Sequence, residues 1–451
     1  MQAAAHVERL PSADCHAAVQ IVHVLRDAGH AAYLVGGCVR DLVLGQEPKD
    51  YDVATSAQPA EVKRLFRRVI EVGIAFGVVR VRLQALQGEW SEVEVATFRA
   101  DGGYSDGRRP DHVRFTDARE DVLRRDFTLN GLLLDPVLAG EGSVGRAETG
   151  LVVDLVGGLD DLRHGLLRAI GEPRLRFGED ALRLLRAARF AARFDLRVEA
   201  QTAQAILELA PTLQKVSVER ITAEVSRMLL TPTAETALRL LVDLGLAAQL
   251  WPELLAADPG LARARQRATR GLAAVQEAGD REACLQPSPA LELPLALASL
   301  SWPLTDWLLS AEAQRTLRLA NADRQAAMLI SELADQGLQA PWLRQPPPPR
   351  PWPAPLARWL RHPLADQALQ LIDAAGELPT AMAWRQARAS WPQAQAFPPP
   401  ALTGRHLQAM GFAPGPRFKV ALAAAEDAQL EGAEDSQAVA IAVAIAETPQ
   451  A

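Results

Sequence analysis

The chain has 451 residues, 49% of them hydrophobic and 23% charged, with a net charge of -7. That balance excludes a disordered or membrane-embedded chain, argues against a protein that coats nucleic acid with its whole surface, and leaves room for roughly two to four packed units. No apolar run reaches the roughly 20 residues of a membrane span, no secretory leader is visible, and Cys15, Cys38 and Cys284 show no paired spacing, so a soluble cytoplasmic protein with inert thiols is expected.

The apolar residues Val19, Ile21, Val22, Val24 and Leu25 recur at helical spacing between Asp14 and Gly29, so a helix leads the chain and Gly29 ends it. Ala31 to Val35 reads as a buried strand, Gly36-Gly37 as a tight turn, Val39 to Leu44 as a short helix and Tyr51 to Ala54 as a second strand. Pro59 to Val69 predicts a helix with proline in its first turn and Val62, Leu65 and Phe66 on one face. Val78 to Leu83 and Glu92 to Phe98 alternate with period two and read as strands.

From Val156 onward helical periodicity takes over. This stretch is rich in arginine (Arg163, Arg168, Arg174, Arg176, Arg183, Arg186, Arg189, Arg193, Arg197), which makes it a candidate phosphate-facing surface. Pro341 to Pro355 (PWLRQPPPPRPWPAP) predicts an extended linker or rigid crossing, because a proline run cannot continue a helix; a short helical unit follows.

Asp50 and Asp52, two apart on a predicted strand, would share a face and could bind a divalent metal; taken alone, such a pair also fits a strand edge or solvated loop. Upstream, Gly36 and Gly37 would let backbone N–H groups approach a phosphate, with Arg40 as a charged partner. Glu94 can join the aspartates if the two strands are neighbours, or else face solvent. Arg125 lies four residues after Asp121, the spacing of a helical ion pair, while Arg124, Arg125, Asp126 and Asn130 also suit a triphosphate and a ribose. Glu179, Asp180 and Arg183 have the spacing of helical ion pairs too. They can alternatively read a base, since a carboxylate accepts from an exocyclic amino group and a guanidinium donates to ring acceptors.

In order, GGCVRDLVLG, KDYDVAT, EVATFR, RRPDHVRF, RRDFTLNGLLLD and EDALRLLRAARFAARF resemble the motifs of class II tRNA nucleotidyltransferases, the CCA-adding enzymes and their bacterial poly(A) polymerase relatives. The similarity covers roughly Val35 to Leu230, including VSVERI at Val216 to Ile221, and reappears in TGRHLQAMGFAPGPRF near the C-terminus. It implies an α+β chain: a nucleotidyltransferase-fold head with a mixed β-sheet (1–150), then an all-helical neck (151–230), a body (231–340), a proline-rich linker (341–356) and an RNA-binding tail (357–451).

The same resemblance implies template-independent addition of CMP and AMP to the tRNA 3′ end from CTP and ATP with two Mg2+ ions. Asp50 and Asp52 would be the metal ligands, with Glu94 as a third carboxylate. Gly36, Gly37 and Arg40 would hold the triphosphate, and Arg125, Asp126 and Asn130 would line the sugar and phosphates. Glu179, Asp180 and Arg183 would select the base, with Arg186 and Arg189 towards the phosphates. The partner implied is the tRNA acceptor arm, and no protein partner can be inferred.

Poly(A) polymerase relatives carry a basic pair where this chain has Gly73-Ile74-Ala75-Phe76-Gly77, which favours the tRNA enzyme. The loop GGYSDGRRPDHVRF is present, and in the family it accompanies the switch to ATP. An A-adding-only enzyme and a non-catalytic RNA-binding protein of the same fold remain as alternatives.

Overall fold

Helix α1 (Ala13–Asp27) forms where the apolar spacing places it and buries Cys15, Val19, Ile21, Val22 and Leu25 on one face; Gly29, at φ 86°, turns the chain back. A computed structural model of the chain describes residues 6–7, 13–84, 90–103, 112–138, 147–276 and 293–447. Cys284 and most of the loop around Tyr104 to Asp111 lie outside the described residues. The chain divides into two units, residues 1–225 with 240–252, and residues 226–239 with 253–451.

The first unit is built on strands β1 (His6–Val7), β2 (Ala32–Val35), β3 (Asp52–Thr55), β4 (Val69–Gly73), β5 (Val78–Gln84) and β6 (Trp90–Thr97). Strands β7 (Arg99–Gly102) and β8 (His112–Phe115) pair apart from the sheet, and β9 (Leu133–Leu138) and β10 (Ala147–Val153) rejoin it. The sheet runs β1-β10-β9-β2-β3-β6-β5-β4, antiparallel throughout except for the parallel β3–β6 pair, so it is mixed as expected.

One sheet face, carrying Leu34, Val53, Val79, Val81, Val93, Val95 and Leu134, packs on α1 and on Val62 of α3 (Pro59–Leu65). The other face begins apolar with Val35, Ala54, Phe98 and Leu133 against Val122, then opens. Helix α3 is shorter than predicted because Phe66 is already extended and Val69 starts the edge strand β4.

Helix α2 (Gly37–Val43) follows β2, and α4 (Ala118–Leu123), capped by the Asp117 side chain, follows β8. Then come α5 (Gly158–Arg163), α6 (Pro173–Glu179), α7 (Leu182–Arg193), α8 (Ala200–Leu209) and α9 (Val218–Leu229). The neck is not purely helical: β11 (Leu166–Leu167) and β12 (Arg197–Val198) form a short parallel pair. The helical spacing read across Glu179, Asp180 and Arg183 is broken between two helices, because Asp180 is extended (φ -151°, ψ 105°) and its Oδ1 accepts from the Leu182 N–H at 3.0 Å. A short acceptor that satisfies a free first-turn N–H favours starting a new helix over continuing the old one.

The described part of the second unit is helical. Its longest helix spans Asn321–Gln339, and Pro416–Leu430 and Asp435–Glu447 pair around Ala421, Ala425, Ala438 and Ala442. The proline-rich stretch lies within this unit. It makes one 3-10 turn at Pro341–Arg344, buries Leu343 and Trp352, and sets Trp352 edge-on to Trp384 at 5.7 Å and to Trp391 at 5.0 Å. Its aromatic residues tie it down, since burying a ring contributes more than the prolines' preference for an extended, solvated backbone. Among the described residues no helix is long and apolar enough to cross a membrane.

Candidate active site

Along β6 the residues Ser91, Val93, Val95 and Thr97 are buried, which leaves Glu92 and Glu94 on the open face. The parallel register sets Asp52 of β3 directly beside Glu94, so two carboxylates from adjacent strands share that face. Burial, then the charge of Glu94, pushes the Asp52 carboxyl up to about 6; Arg125 opposes the shift and Asp50 adds to it. Asp50 itself is exposed and precedes the strand, so the expected Asp50–Asp52 alternation on one strand does not hold. The strand partner of Asp52 is Glu94, and Asp50 acts on it from the loop.

A cavity of about 590 Å³ opens over this pair. Its lining includes Gly36, Gly37, Arg40, Asp52, Glu94, Arg125, Asp126, Asn130, Asp180, Arg183 and Arg186. Asp50, Glu179 and Arg189, also expected at the site, are not among the lining residues.

Gly36 caps α2 at φ 76° and ψ -131°, a conformation that side chains disfavour, and a Cβ there would sit 3.1 Å from Nη1 of Arg125. Arg125 crosses the turn because Asp121 Oδ2 accepts from its Nη2 at 3.1 Å and the Asn130 carbonyl accepts from its Nη1 at 3.3 Å. The Asp121–Arg125 helical ion pair and a place for Arg125 in the cavity are therefore both real.

Asp126 is buried, and burial alone would raise its carboxyl. Arg186, together with the Asn130 amide and the Phe127 N–H, outweighs that and holds it down at about 2. The Arg186 Nε donates to Asp126 Oδ2 at 2.8 Å, and Asn130 Nδ2 donates to Oδ1 at 3.0 Å. Arg40 is 4% exposed and donates to Asp41 Oδ1 and to Asn130 Oδ1.

On the far wall, Glu179 Oε2 accepts from Arg176 at 2.8 Å and from Arg183 at 2.5 Å, which orients the Arg183 guanidinium from outside the cavity. Asp180 does not meet Arg183 through its side chain; its Oδ2 accepts from Arg220 of α9 at 2.6 Å. Arg189 donates to the buried Glu224 at 2.6 Å and so ties α7 to α9. Most of the arginine-rich stretch is paired in the same way, Arg163 with Asp160, Arg168 with Asp161 and Arg174 with Glu208, so it is no open basic face.

Several site residues were not expected. Asp41 neighbours Arg40 in the GGCVRD run, and Arg220 lies in VSVERI, so both stood inside recognised motifs. Arg99 (in EVATFR), Phe76 (in the Gly73–Gly77 segment) and Phe190 (in EDALRLLRAARFAARF) also line the cavity, again inside stretches already singled out but without a role assigned to them. Burial pushes the Cys15 and Cys38 thiols up to about 12, which keeps them inert.

Two family models match this chain: the poly A polymerase head domain over residues 32–168, and the probable RNA and SrmB- binding site of polymerase A over residues 195–258. A CCA-adding enzyme of Enterococcus faecalis is 37% identical over 325 residues, covering 71% of this chain and 74% of the relative. One from Limosilactobacillus fermentum is 41% identical over 256 residues, covering 56% and 58%. Among solved structures, the Bacillus stearothermophilus CCA-adding enzyme in complex with CTP aligns over 94% of each chain at 29% identity and TM-score 0.67.

Proposed function

The chain belongs to the CCA-adding enzyme family, and from that premise we propose that it adds CMP and then AMP to the 3′ end of tRNA, using CTP and ATP without a nucleic-acid template. The observation that carries this reading is a single cavity with Asp52 and Glu94 on one wall and Asp180 with Arg183 on the other. The first pair suits phosphoryl chemistry and the second suits a base edge.

The donor set fits magnesium. Asp52 and Glu94 offer hard oxygen ligands side by side, and the Asp52 carboxyl is raised first by burial and then by the charge of Glu94. Among the described residues no three such side chains cluster into a ready-made cage. Asp52, Asp50 and Glu94 would hold two Mg2+ ions, which when bound lower the pKa of the attacking hydroxyl and stabilise charge on the leaving pyrophosphate.

The protein's own groups do the rest. The Gly36–Gly37 turn and Arg125 bind the triphosphate, and Asp126 with Asn130 shapes the sugar site. The tRNA 3′-hydroxyl oxygen bonds to the α-phosphorus as the bond from that phosphorus to the pyrophosphate oxygen breaks. Asp180 accepts from the exocyclic amino group that cytosine and adenine share, and Arg183 donates to ring acceptors. Positioning of the two substrates supplies much of the rate.

The segments 151–230, 231–340 and 357–451 serve as neck, body and RNA-holding tail, and the enzyme works in the cytoplasm beside its tRNA. The curated relatives bear the CCA-adding name, so poly(A) polymerase activity is not favoured.

The test offers purified protein tRNAs ending before the first C, after one C and after two, plus an oligo(A) primer, with CTP and ATP singly and together. Stepwise addition of C, C and A to tRNA is expected. Extension of oligo(A) alone, or of the CC-ended tRNA alone, would overturn it.

A further inference from the structure

Arg40 is built into the protein more tightly than a phosphate ligand needs. Its Nε and Nη2 donate to Asp41 Oδ1 at 2.8 and 2.7 Å, and its Nη1 donates to Asn130 Oδ1 at 2.7 Å. The guanidinium lies 4.3 Å from the ring centroid of Phe194, the residue that caps the C-terminal end of α7. Asn130 in turn donates to Asp126, which accepts from Arg186 of the same helix. The contacts therefore make a circuit that leaves α7 at Arg186 and returns to it at Phe194. Phe190, between those two positions on α7, stacks on Phe194 at 6.2 Å and lies under both Arg186 and Arg40.

Helix α7 carries Arg183 in its first turn, about 16 Å from Phe194 at 1.5 Å per residue. A rigid helix pinned at its far end by a cation–π contact transmits any tilt to its first turn, where a shift of about 1 Å changes which base edge fits. We infer that Arg40, oriented by Asp41, is a positioning residue: its stack on Phe194 sets the tilt of α7 and thereby where Arg183 and Asp180 stand above Asp52 and Glu94. Asp41 and Phe194 are then determinants of nucleotide choice although neither touches the nucleotide. The inference rests on the reading of Asp180 and Arg183 as base selectors.

The test uses the full chain with Mg2+ and a tRNA ending in CC, and compares kcat/KM for ATP with that for CTP in wild type, Phe194→Leu, Phe194→Tyr and Asp41→Asn. Melting temperatures are measured alongside. Phe194→Leu keeps an apolar side chain of similar bulk and removes the ring; Asp41→Asn keeps shape and removes charge. In both, the ATP preference is expected to fall about tenfold, carried mainly by KM for ATP, and Phe194→Tyr is expected to restore it. A lowered melting temperature with unchanged preference in Phe194→Leu and Asp41→Asn overturns the inference. So does an equal rise in KM for both nucleotides, the signature of a direct triphosphate contact. Absence of any ATP preference in wild type overturns the reading of Asp180 and Arg183, and the inference falls with it.

Discussion

Asp52 shows how a site residue is set by its neighbours. Its carboxyl is raised to about 6 by burial and by Glu94 beside it, so it is protonated below that pH and ionised above it. A proton and a divalent cation compete for the same oxygens, so Mg2+ affinity is expected to fall about tenfold per pH unit below 6 and to level off above it. Calorimetry across that range checks the direction. For folding the sign is opposite: a raised acid makes the metal-free fold less stable as pH rises from about 4 through 6. Asp52→Asn should therefore raise the melting temperature of metal-free protein at pH 8, leave it unchanged below pH 4, and abolish nucleotide incorporation while sparing tRNA binding. Near-normal incorporation would sink the metal assignment. On the opposite wall, Asp180 is held by Arg220 and by the Leu182 N–H with one oxygen each, a fixed acceptor. Asp180→Ala is expected to erode selection of CTP and ATP against UTP and GTP by at least tenfold with little change in tRNA binding, measured by single-turnover incorporation; unchanged selection would remove Asp180 from base selection.

At the level of elements, the turn between β2 and α2 is the most constrained. Gly36 needs a positive φ, and a Cβ there would sit 3.1 Å from Nη1 of Arg125, so that guanidinium would have to give way by a few tenths of an ångström. Gly36→Ala is expected to cost about 1–3 kcal/mol of stability and to raise KM for both nucleotides without changing KM for tRNA. Denaturant melts and steady-state kinetics separate the two effects, and a fully stable, fully active variant would contradict the assignment. This turn was legible in the sequence, because a glycine pair between a strand and a helix has few other uses. So was the β5–β6 alternation that exposes Glu94, since period two forces alternate residues onto one face. What was not legible depends on pairing across the chain. The parallel β3–β6 register makes Glu94 the neighbour of Asp52, and no local pattern records a register. The break between α6 and α7 turns on one side chain, Asp180, capturing a first-turn N–H, and helical periodicity runs through it unaltered. Arg220 and Phe194 reach their partners from 40 and 154 residues away (220 minus 180 and 194 minus 40), beyond any spacing rule. The proline-rich stretch reads as an extended linker or rigid crossing; most of it is exposed, and what its composition does not record is that Leu343 and Trp352 are buried and anchor it.

For the molecule as a whole, a net charge of -7 coexists with a cavity whose lining includes Arg40, Arg99, Arg124, Arg125, Arg183, Arg186 and Arg220. The cationic groups that matter are gathered in one place, and many of the remaining arginines are neutralised in ion pairs, which limits non-specific attraction to nucleic acid. The two units hold separate hydrophobic cores, the first around the sheet and the second around residues such as the fully buried Trp384. The proposed nucleotide contacts fall in the first unit, since every lining residue of the cavity does. If the second unit serves to hold RNA, damage to its core should separate the two substrates. Trp384 is enclosed by Trp352 and donates its indole N–H to the Gln345 carbonyl at 2.9 Å, so Trp384→Ala removes a large ring and orphans that acceptor. The substitution is expected to destabilise the second unit by about 3–5 kcal/mol and to raise KM for tRNA several-fold, while CTP binding measured by calorimetry stays within twofold of wild type. Loss of CTP binding in step with tRNA binding would mean that the units do not divide the work.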